Sequence, residues 1–317
     1  MTQPTLDLAH LDTEGRQAFR ALTQAPPMAW PTLTMWSILT ITFLATYGLC
    51  GAGLIPLWIG TLANTVIGYL AFSVAHDSIH RSISSNTRLN DLVGQLGVLL
   101  VLPYVDIRLF RWAHIQHHRF ASGPRDPDRV FNGAPWTLPL RWMFIDVAYF
   151  VHALRRGDKV SAPYLRRSLW LASIAAATLL ALVVAGYGVE VLMLWFIPSR
   201  LIQLVLGFSF FWLPHAPHDV SQEENFTRAT TIREGHEWLL GPLLQYQNVH
   251  LIHHLYPSTP FYNNLRVWQL IEPALRWHDL AIQKGFAIRP VVVPGGQGSG
   301  ERTAAAAGPS TSLEARA

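Results

Sequence analysis

An all-α integral-membrane fold is predicted for this chain: four transmembrane helices in two hairpins, with a cytoplasmic helical cap. Three observations predict it. Half of the 317 residues are hydrophobic and only 14% are charged, against about a quarter charged in a typical soluble protein. Four apolar stretches each approach the ~20 residues that a helix needs to cross a bilayer. Arginine and lysine concentrate in the long loop between the second and third stretches. The 12 Trp suit the same class, because an indole sits well at headgroup level with its N–H wet.

Residues 1–29 read as a polar cytoplasmic arm, with Leu11–Leu22 as a short interfacial helix. The opening MTQPTLDLAHLDTEG has no basic start and no apolar core, so no cleavable signal peptide is expected. The spans are Pro31–Cys50, Leu54–Ala75, Ser168–Ala185 and Glu190–Leu213. Gly51, Ala52 and Gly53 join the first pair, and a turn around Gly186, Tyr187 and Gly188 joins the second. Both hairpin tips therefore lie on one side, and neither carries Arg or Lys. The loop from Arg81 to Arg167 carries many, including Arg108, Arg111, Arg155, Arg156 and Lys159. The positive-inside rule places that loop and both termini in the cytoplasm, for a multi-pass protein of the inner or plasma membrane.

Within that loop, Leu92–Val105 and Trp142–Leu154 are too short to span and are expected as interfacial or re-entrant helices. Arg200 falls inside the fourth span. A charge there is costly unless it snorkels, pairs or lines a polar cavity, or unless the span is tilted or starts later. The membrane domain is expected over 30–291. Residues 292–317, ending in a Gly- and Ala-rich run, are expected as a disordered tail. No second domain is expected.

Cys50 is the sole cysteine, which excludes an intrachain disulfide and any Cys-built zinc or iron–sulfur site within one chain. The net charge is +4, but no basic stretch interleaves with aromatics outside the spans, so nucleic acid is not an expected partner.

Three histidine clusters carry the functional argument. They are His76-x3-His80, His114-x2-His117-His118 and His250-x2-His253-His254. On a helix, residues three and four apart share a face, so each cluster projects two or three imidazoles from one stripe. A random chain of this composition would hold one H-x2-HH on the order of 0.03 times; this chain holds two. The first cluster follows the second span, the third follows the fourth, and the second lies in the loop between. All three meet on the cytoplasmic side.

Imidazoles without thiolates suit iron, copper, zinc or nickel, and eight nitrogens exceed the needs of one ion, so the cap is expected to hold a di-metal site. Zinc would bring no redox chemistry. The Glu-x-x-His pairs of ferritin-like di-iron bundles are missing. A ninth ligand is expected from His215 or His218, with His236 a weaker candidate. Ligating histidines give their other N–H to a carboxylate or carbonyl; Asp77, Asp126, Asp128, Asp219 and Asn248 are placed for that role. Asp126-Pro127-Asp128 also reads as a simple turn. The isolated His10, His152 and His278 read as structural residues.

These residues resemble the membrane fatty acid desaturase and hydroxylase superfamily, from roughly His76 to Tyr262. The stretches HIQHHRFASGPRDPD from His114, LPHAPH from Leu213 and QNVHLIHHLYPSTPFY from Gln247 are most similar to a bacterial branch that includes beta-carotene hydroxylases. The resemblance implies two iron ions held by His76, His80, His114, His117, His118, His250, His253 and His254. It implies His215 as the ninth ligand, with His218 as rival. Two departures stand out. Phe211 and Pro214 occupy the places where animal acyl-CoA desaturases have an Asn before the ninth histidine, and Val249 replaces an aromatic often found before the third box.

The implied reaction is O₂-dependent oxidation of an unactivated C–H bond in a long-chain lipid, chemistry that no side chain performs alone. Fatty acyl desaturation is the first expectation. Hydroxylation of a carotenoid or other lipid is the second, and oxidative decarboxylation of a fatty acid to an alkene the third. The chain has no flavin fingerprint and no Cys-x-x-Cys, so an external ferredoxin, rubredoxin or cytochrome is implied as electron donor, docking on the Arg-rich face. A metal transporter or a di-haem carrier would bury its ligands inside the spans, and these histidines cluster at the span ends instead.

Overall fold

The computed structural model describes residues 6–296. In chain order its helices are α1 Thr13–Thr23, α2 Trp30–Gly51, α3 Leu57–Ile79, α4 Thr87–Leu99, α5 Ile107–Phe120, α6 Leu138–Met143 and α7 Ile145–Arg156. They continue with α8 Ala162–Val184, α9 Gly188–His215, α10 Glu237–Leu243, α11 His250–Leu255 and α12 Asn264–Leu275. Among the described residues, α2, α3, α8 and α9 are the four helices long and apolar enough to cross a membrane.

Each of these helices coincides with an expected span, with shifted ends. α3 continues through Ile79, past the expected Ala75, so His76 sits within its last turn. Hydropathy marks where a bilayer would cover the chain, whereas the backbone hydrogen-bond ladder decides where the helix stops. α9 contains two stretches of wider π-type turns, Leu192–Phe196 and Gly207–Trp212, the second just before His215. Such turns recur at functional sites. α3 is central, packing on α2, α4 and α9. Gly68 permits its approach to α9, because a Cβ there would run into the Ile202 side chain. Ile67, Ala71, Phe72, Trp142, Ile145, Ile202, Leu206, Phe210 and Phe211 fill the core between α3, α6, α7 and α9.

α8 behaves differently. Only 6% of its most apolar window is buried against protein, and 17% for α2. A helix that is apolar all round and has few protein neighbours presents a surface of the kind a membrane covers.

The first short apolar run lies largely in α4, which packs on α3 and α5, and the second spans the end of α6 and most of α7, which packs on α5 and α8. Arg200 is paired. Its guanidinium donates to Asp146 Oδ2 of α7 at 2.7 Å and to the Met143 carbonyl at 3.0 Å, and the Tyr104 hydroxyl donates to the same carboxylate.

The cap is not all-helical. Thr231–Glu234 (β1) pairs in parallel with Leu280–Lys284 (β2), and Val291–Val293 (β3) runs antiparallel to β2. Strands of three to five residues carry too short an alternation to be read from sequence, and the β1–β2 pairing spans about 50 residues. Ile232, Val249, Ile252, Ile271, Leu275 and Ile282 form the cap core beneath this sheet. The helix expected at Leu11–Leu22 exists as α1, but it packs on α12, with Phe19 edge-on to Tyr256 at 5.0 Å. It is part of the cap rather than a free interfacial element. β3 carries ordered chain past residue 292, where a disordered tail was expected; the tail from 297 onward lies outside the described residues.

Candidate metal centre

Four elements deliver the histidines. His76 lies in the last turn of α3 and His80 caps it. α5 carries His114, His117 and His118, α11 carries His250, His253 and His254, and His215 is the last residue of α9. The spacing of three and four aligns each set on one helix face. Packing then turns these faces toward one another.

The nine imidazoles divide into two groups. The ring nitrogens of His76, His80, His114 and His253 lie within 4.8 Å of one another, as do those of His117, His215, His250 and His254. His118 joins the first group, its Nε2 lying 3.1 Å from His114 Nε2 and 2.9 Å from His253 Nε2. Its ring stacks on His254 of the second, with centroids 4.2 Å apart.

The hydrogen-bond pattern tests whether these groups fit metal ions. In the second group every Nδ1 has an acceptor beside it. His117 Nδ1 donates to Asp126 Oδ1 at 2.9 Å and His250 Nδ1 to Gln247 Oε1 at 2.6 Å. His254 Nδ1 donates to Gln222 Oε1 at 3.2 Å and His215 Nδ1 to the Ala229 carbonyl at 3.1 Å. A neutral imidazole carries one ring hydrogen, so the Nε2 atoms of His215, His250 and His254 present bare lone pairs. His250 Nε2 and His215 Nε2 nevertheless stand 3.2 Å apart, and His254 Nε2 has no partner among the described residues.

Lone pairs facing at that distance repel unless a cation lies between them. In the first group His76 Nε2 and His114 Nε2 are 3.1 Å apart. Metal–nitrogen bonds of about 2.1 Å, as for zinc, set at right angles separate two donors by about 3.0 Å. Both groups fit a first-row metal.

Electrostatics agree. Burial first, then the neighbouring imidazoles, hold His80, His114, His118 and His253 well below the ordinary histidine range. The same causes lower His250 and His254. The neutral form that ligates metal is therefore the stable one. His117 is the exception. Burial pushes it down, but the Asp126 and Asp128 carboxylates outweigh burial and raise it to about 9. Asp128 Oδ2 lies 3.3 Å from His117 Nδ1. Two carboxylates on one N–H fix the ring and increase the basicity of Nε2.

The eight box histidines thus come together as expected, and so does His215. His218 does not enter either group. Its ring centroid is 6.3 Å from that of His215, and its Nε2 has no partner among the described residues. His236 packs on Phe286, with centroids 5.3 Å apart. Of the expected supporting residues, Asp126 and Asp128 hold His117, but Asp77, Asp219 and Asn248 need correction.

The Asp77 carboxylate has no hydrogen bond to an imidazole among the described residues. It accepts from Thr32 Oγ1 and from the Phe261 amide, each at 3.0 Å, and so ties the start of α2 and the segment after α11 to α3. Asp219 is exposed. The Asn248 side chain has no partner among the described residues; its neighbour Gln247 holds His250 instead. Gln247, Gln222 and the Ala229 carbonyl escaped the sequence reading. Only Gln247, three residues before His250, carried a local signal; the other two reach their histidines through tertiary packing.

Beside the first group lies a small, partly open apolar cavity of about 40 Å³, walled by Phe72, Val101, Leu109, Phe110, Ile145, Tyr149, Leu206 and Phe211. Phe72 stacks near His76 with centroids 5.9 Å apart, and Phe110 lies 6.0 Å from His114.

Comparison with known proteins gives this geometry its family. Residues 49–286, most of the chain, match the family described as Fatty acid desaturase. The chain belongs to the fatty acid desaturase family. Among curated relatives of this desaturase-family chain, a beta-carotene ketolase of Paracoccus sp. (strain PC1) is 28% identical over 246 residues, which is 76% of this chain and 88% of the relative. A second beta-carotene ketolase, from Paracoccus sp. (strain N81106 / MBIC 01143), is 30% identical over 193 residues, or 60% of this chain and 70% of the relative. The chloroplastic sn-2 acyl-lipid omega-3 desaturase (ferredoxin) of Helianthus annuus is 26% identical over 244 residues; the alignment covers 67% of this chain and 55% of the relative. Membership makes the chain an oxidoreductase of the membrane desaturase and hydroxylase group, acting in lipid oxidation.

Proposed function

We propose that this desaturase-family chain is a multi-pass membrane enzyme that oxidises unactivated aliphatic C–H bonds of a long-chain lipid, with O₂ as oxidant. Fatty acyl desaturation is the first reading. The observation that carries it is the apolar cavity whose wall, at Phe72 and Phe110, abuts His76 and His114. In this reading His76, His80, His114, His118 and His253 hold one iron, and His117, His215, His250 and His254 hold the other. When bound, the two irons supply the O₂ chemistry that side chains lack.

The rest is the work of the chain itself. Phe72, Phe110, Tyr149 and Phe211 exclude water and hold an alkyl chain against the first group. Asp126, Gln247, Gln222 and the Ala229 carbonyl hold the rings of the second group with Nε2 inward. Loss of two hydrogens gives a double bond. O₂ then takes four electrons, two from the lipid and two from a donor, and with two further protons leaves as two waters. An external ferredoxin, rubredoxin or cytochrome supplies those two electrons. Positive-inside asymmetry supports a topology of two hairpins in the inner or plasma membrane, with both termini and the His groups cytoplasmic. Residues 30–291 form the membrane domain.

The length of alignment to two beta-carotene ketolases favours a second reading, oxygenation of a carotenoid. Lipid profiling of an expressing host grown under ¹⁸O₂ separates the two. A new acyl double bond without ¹⁸O supports the first reading, and ¹⁸O in a carotenoid supports the second. An unchanged lipid profile from iron-loaded protein with a working donor rejects both.

A further inference from the structure

A second cavity adjoins the first. It is an open groove between α7, α8 and α9, lined by Val151, Leu169, Ala175, Leu179, Trp195 and Phe196. Asp146 and Phe150 line both the groove and the cavity beside the first His group. One face of α9 marks the route. Phe211, Leu206 and Gln203 line the inner cavity, and Arg200, Phe196 and Trp195 line the groove. From Phe211 to Phe196 this stripe is about 22 Å long at 1.5 Å per residue. The groove end, at Trp195 and Phe196, lies in the half of α9 remote from His215, beside α8, whose most apolar window is only 6% buried against protein.

From this geometry we infer that the groove admits the substrate sideways from the bilayer core, hydrocarbon end first. The ligand is a long neutral lipid resident in the membrane rather than a water-borne acyl thioester. The inference rests on the membrane and lipid-oxidation readings above and narrows them.

Three features support it. The walls of both cavities are mostly hydrocarbon and aromatic, and the polar residues along the route, Arg200, Asp146, Gln203 and Tyr104, hydrogen-bond among themselves, which leaves apolar surface for an alkyl or isoprenoid chain. The Arg200–Asp146 pair at the junction is closed on itself at 2.7 Å and carries no net charge, so a carboxylate or phosphate drawn past it would remain uncompensated. A lipid with its tip at the His group and its remainder in the bilayer must exceed about 20 Å, against a hydrocarbon layer of about 30 Å. A membrane acyl tail and an isoprenoid hydrocarbon share this chemistry.

The test uses the full-length, iron-loaded protein in phospholipid vesicles with a donor system. Ala175→Trp and Ala172→Trp fill the groove from α8, and Leu62→Trp, on an exposed face of α3, is the control. Three substrates are offered: β-carotene dissolved in dioleoyl phosphatidylcholine vesicles, that phospholipid itself, and oleoyl-CoA in solution. Turnover of one membrane-dissolved substrate is expected to fall about tenfold or more in either α8 variant at unchanged iron content, with the control unaffected. Which of the two membrane substrates responds identifies the source of the chain.

A diazirine-bearing long-chain alkane, photolysed in vesicles with iron-free protein, provides a readout free of activity. Labelling is expected to concentrate on α7 and α8 residues of the groove. Full turnover in both α8 variants, oxidation of oleoyl-CoA alone, or labelling spread evenly over the lipid-facing helices overturns the portal. Groove labelling without oxidation of any lipid overturns the functional reading and leaves the portal standing.

Discussion

Tyr149 donates its hydroxyl hydrogen to Asp128 Oδ1 over 2.5 Å, linking the wall of the apolar cavity to a carboxylate beside His117. One face of the tyrosine ring lines the space offered to a lipid, and its oxygen steadies the group that orients a metal-binding imidazole. Tyr149→Phe keeps the ring and removes the hydrogen bond. Loss of such outer support costs metal sites about 10- to 100-fold in affinity, so the variant is expected to lose the second iron during dialysis while retaining the first. Elemental analysis before and after dialysis reads this out, and equal retention of both ions would show that Asp128 needs no help from Tyr149.

The ninth imidazole is tested by a pair of variants. His215→Ala removes a nitrogen from the second group and is expected to lower bound iron from two per chain toward one and to abolish product. His218→Ala, outside both groups, is expected to keep both irons and most activity. The reverse pattern would move the ninth position to His218.

Arg200 and Asp146 predict a stability signature. Arg200→Met strands a buried carboxylate and is expected to cost about 3–5 kcal/mol. The double variant Arg200→Met with Asp146→Leu removes both charges and is expected to recover most of that loss. Thermal unfolding in detergent measures both, and a double variant no better than the single would mean that Tyr104 and the Met143 carbonyl, not charge, set the cost.

Topology follows from charge. Reporter fusions after Cys50 and Ala185 are expected outside the cytoplasm, and fusions after Ala75 and Leu213 inside it. A periplasmic signal from a fusion at Asp91 would break the four-span arrangement.

The sequence by itself determined the membrane class, the four apolar helices and the eight box histidines. These depend on composition and on spacings of three and four, which are local properties. Arg200 showed from sequence that something had to compensate it, but not what; the partner, Asp146, lies 54 residues away. Only the tertiary structure divided the imidazoles into two groups, because His118 and His253, 135 residues apart, meet through the packing of α5 on the cap. It also placed His215 inside and His218 outside, a choice made by how α9 ends. It gave support of His250 to Gln247 and left the neighbouring Asn248, an expected supporting residue, without a partner among the described residues, a difference of one position that composition cannot see. It closed the cap with a sheet whose strands are too short to announce themselves. Ligand type is written into side-chain chemistry, whereas ligand partnership is a distance, and distances between remote residues exist only once the chain has folded.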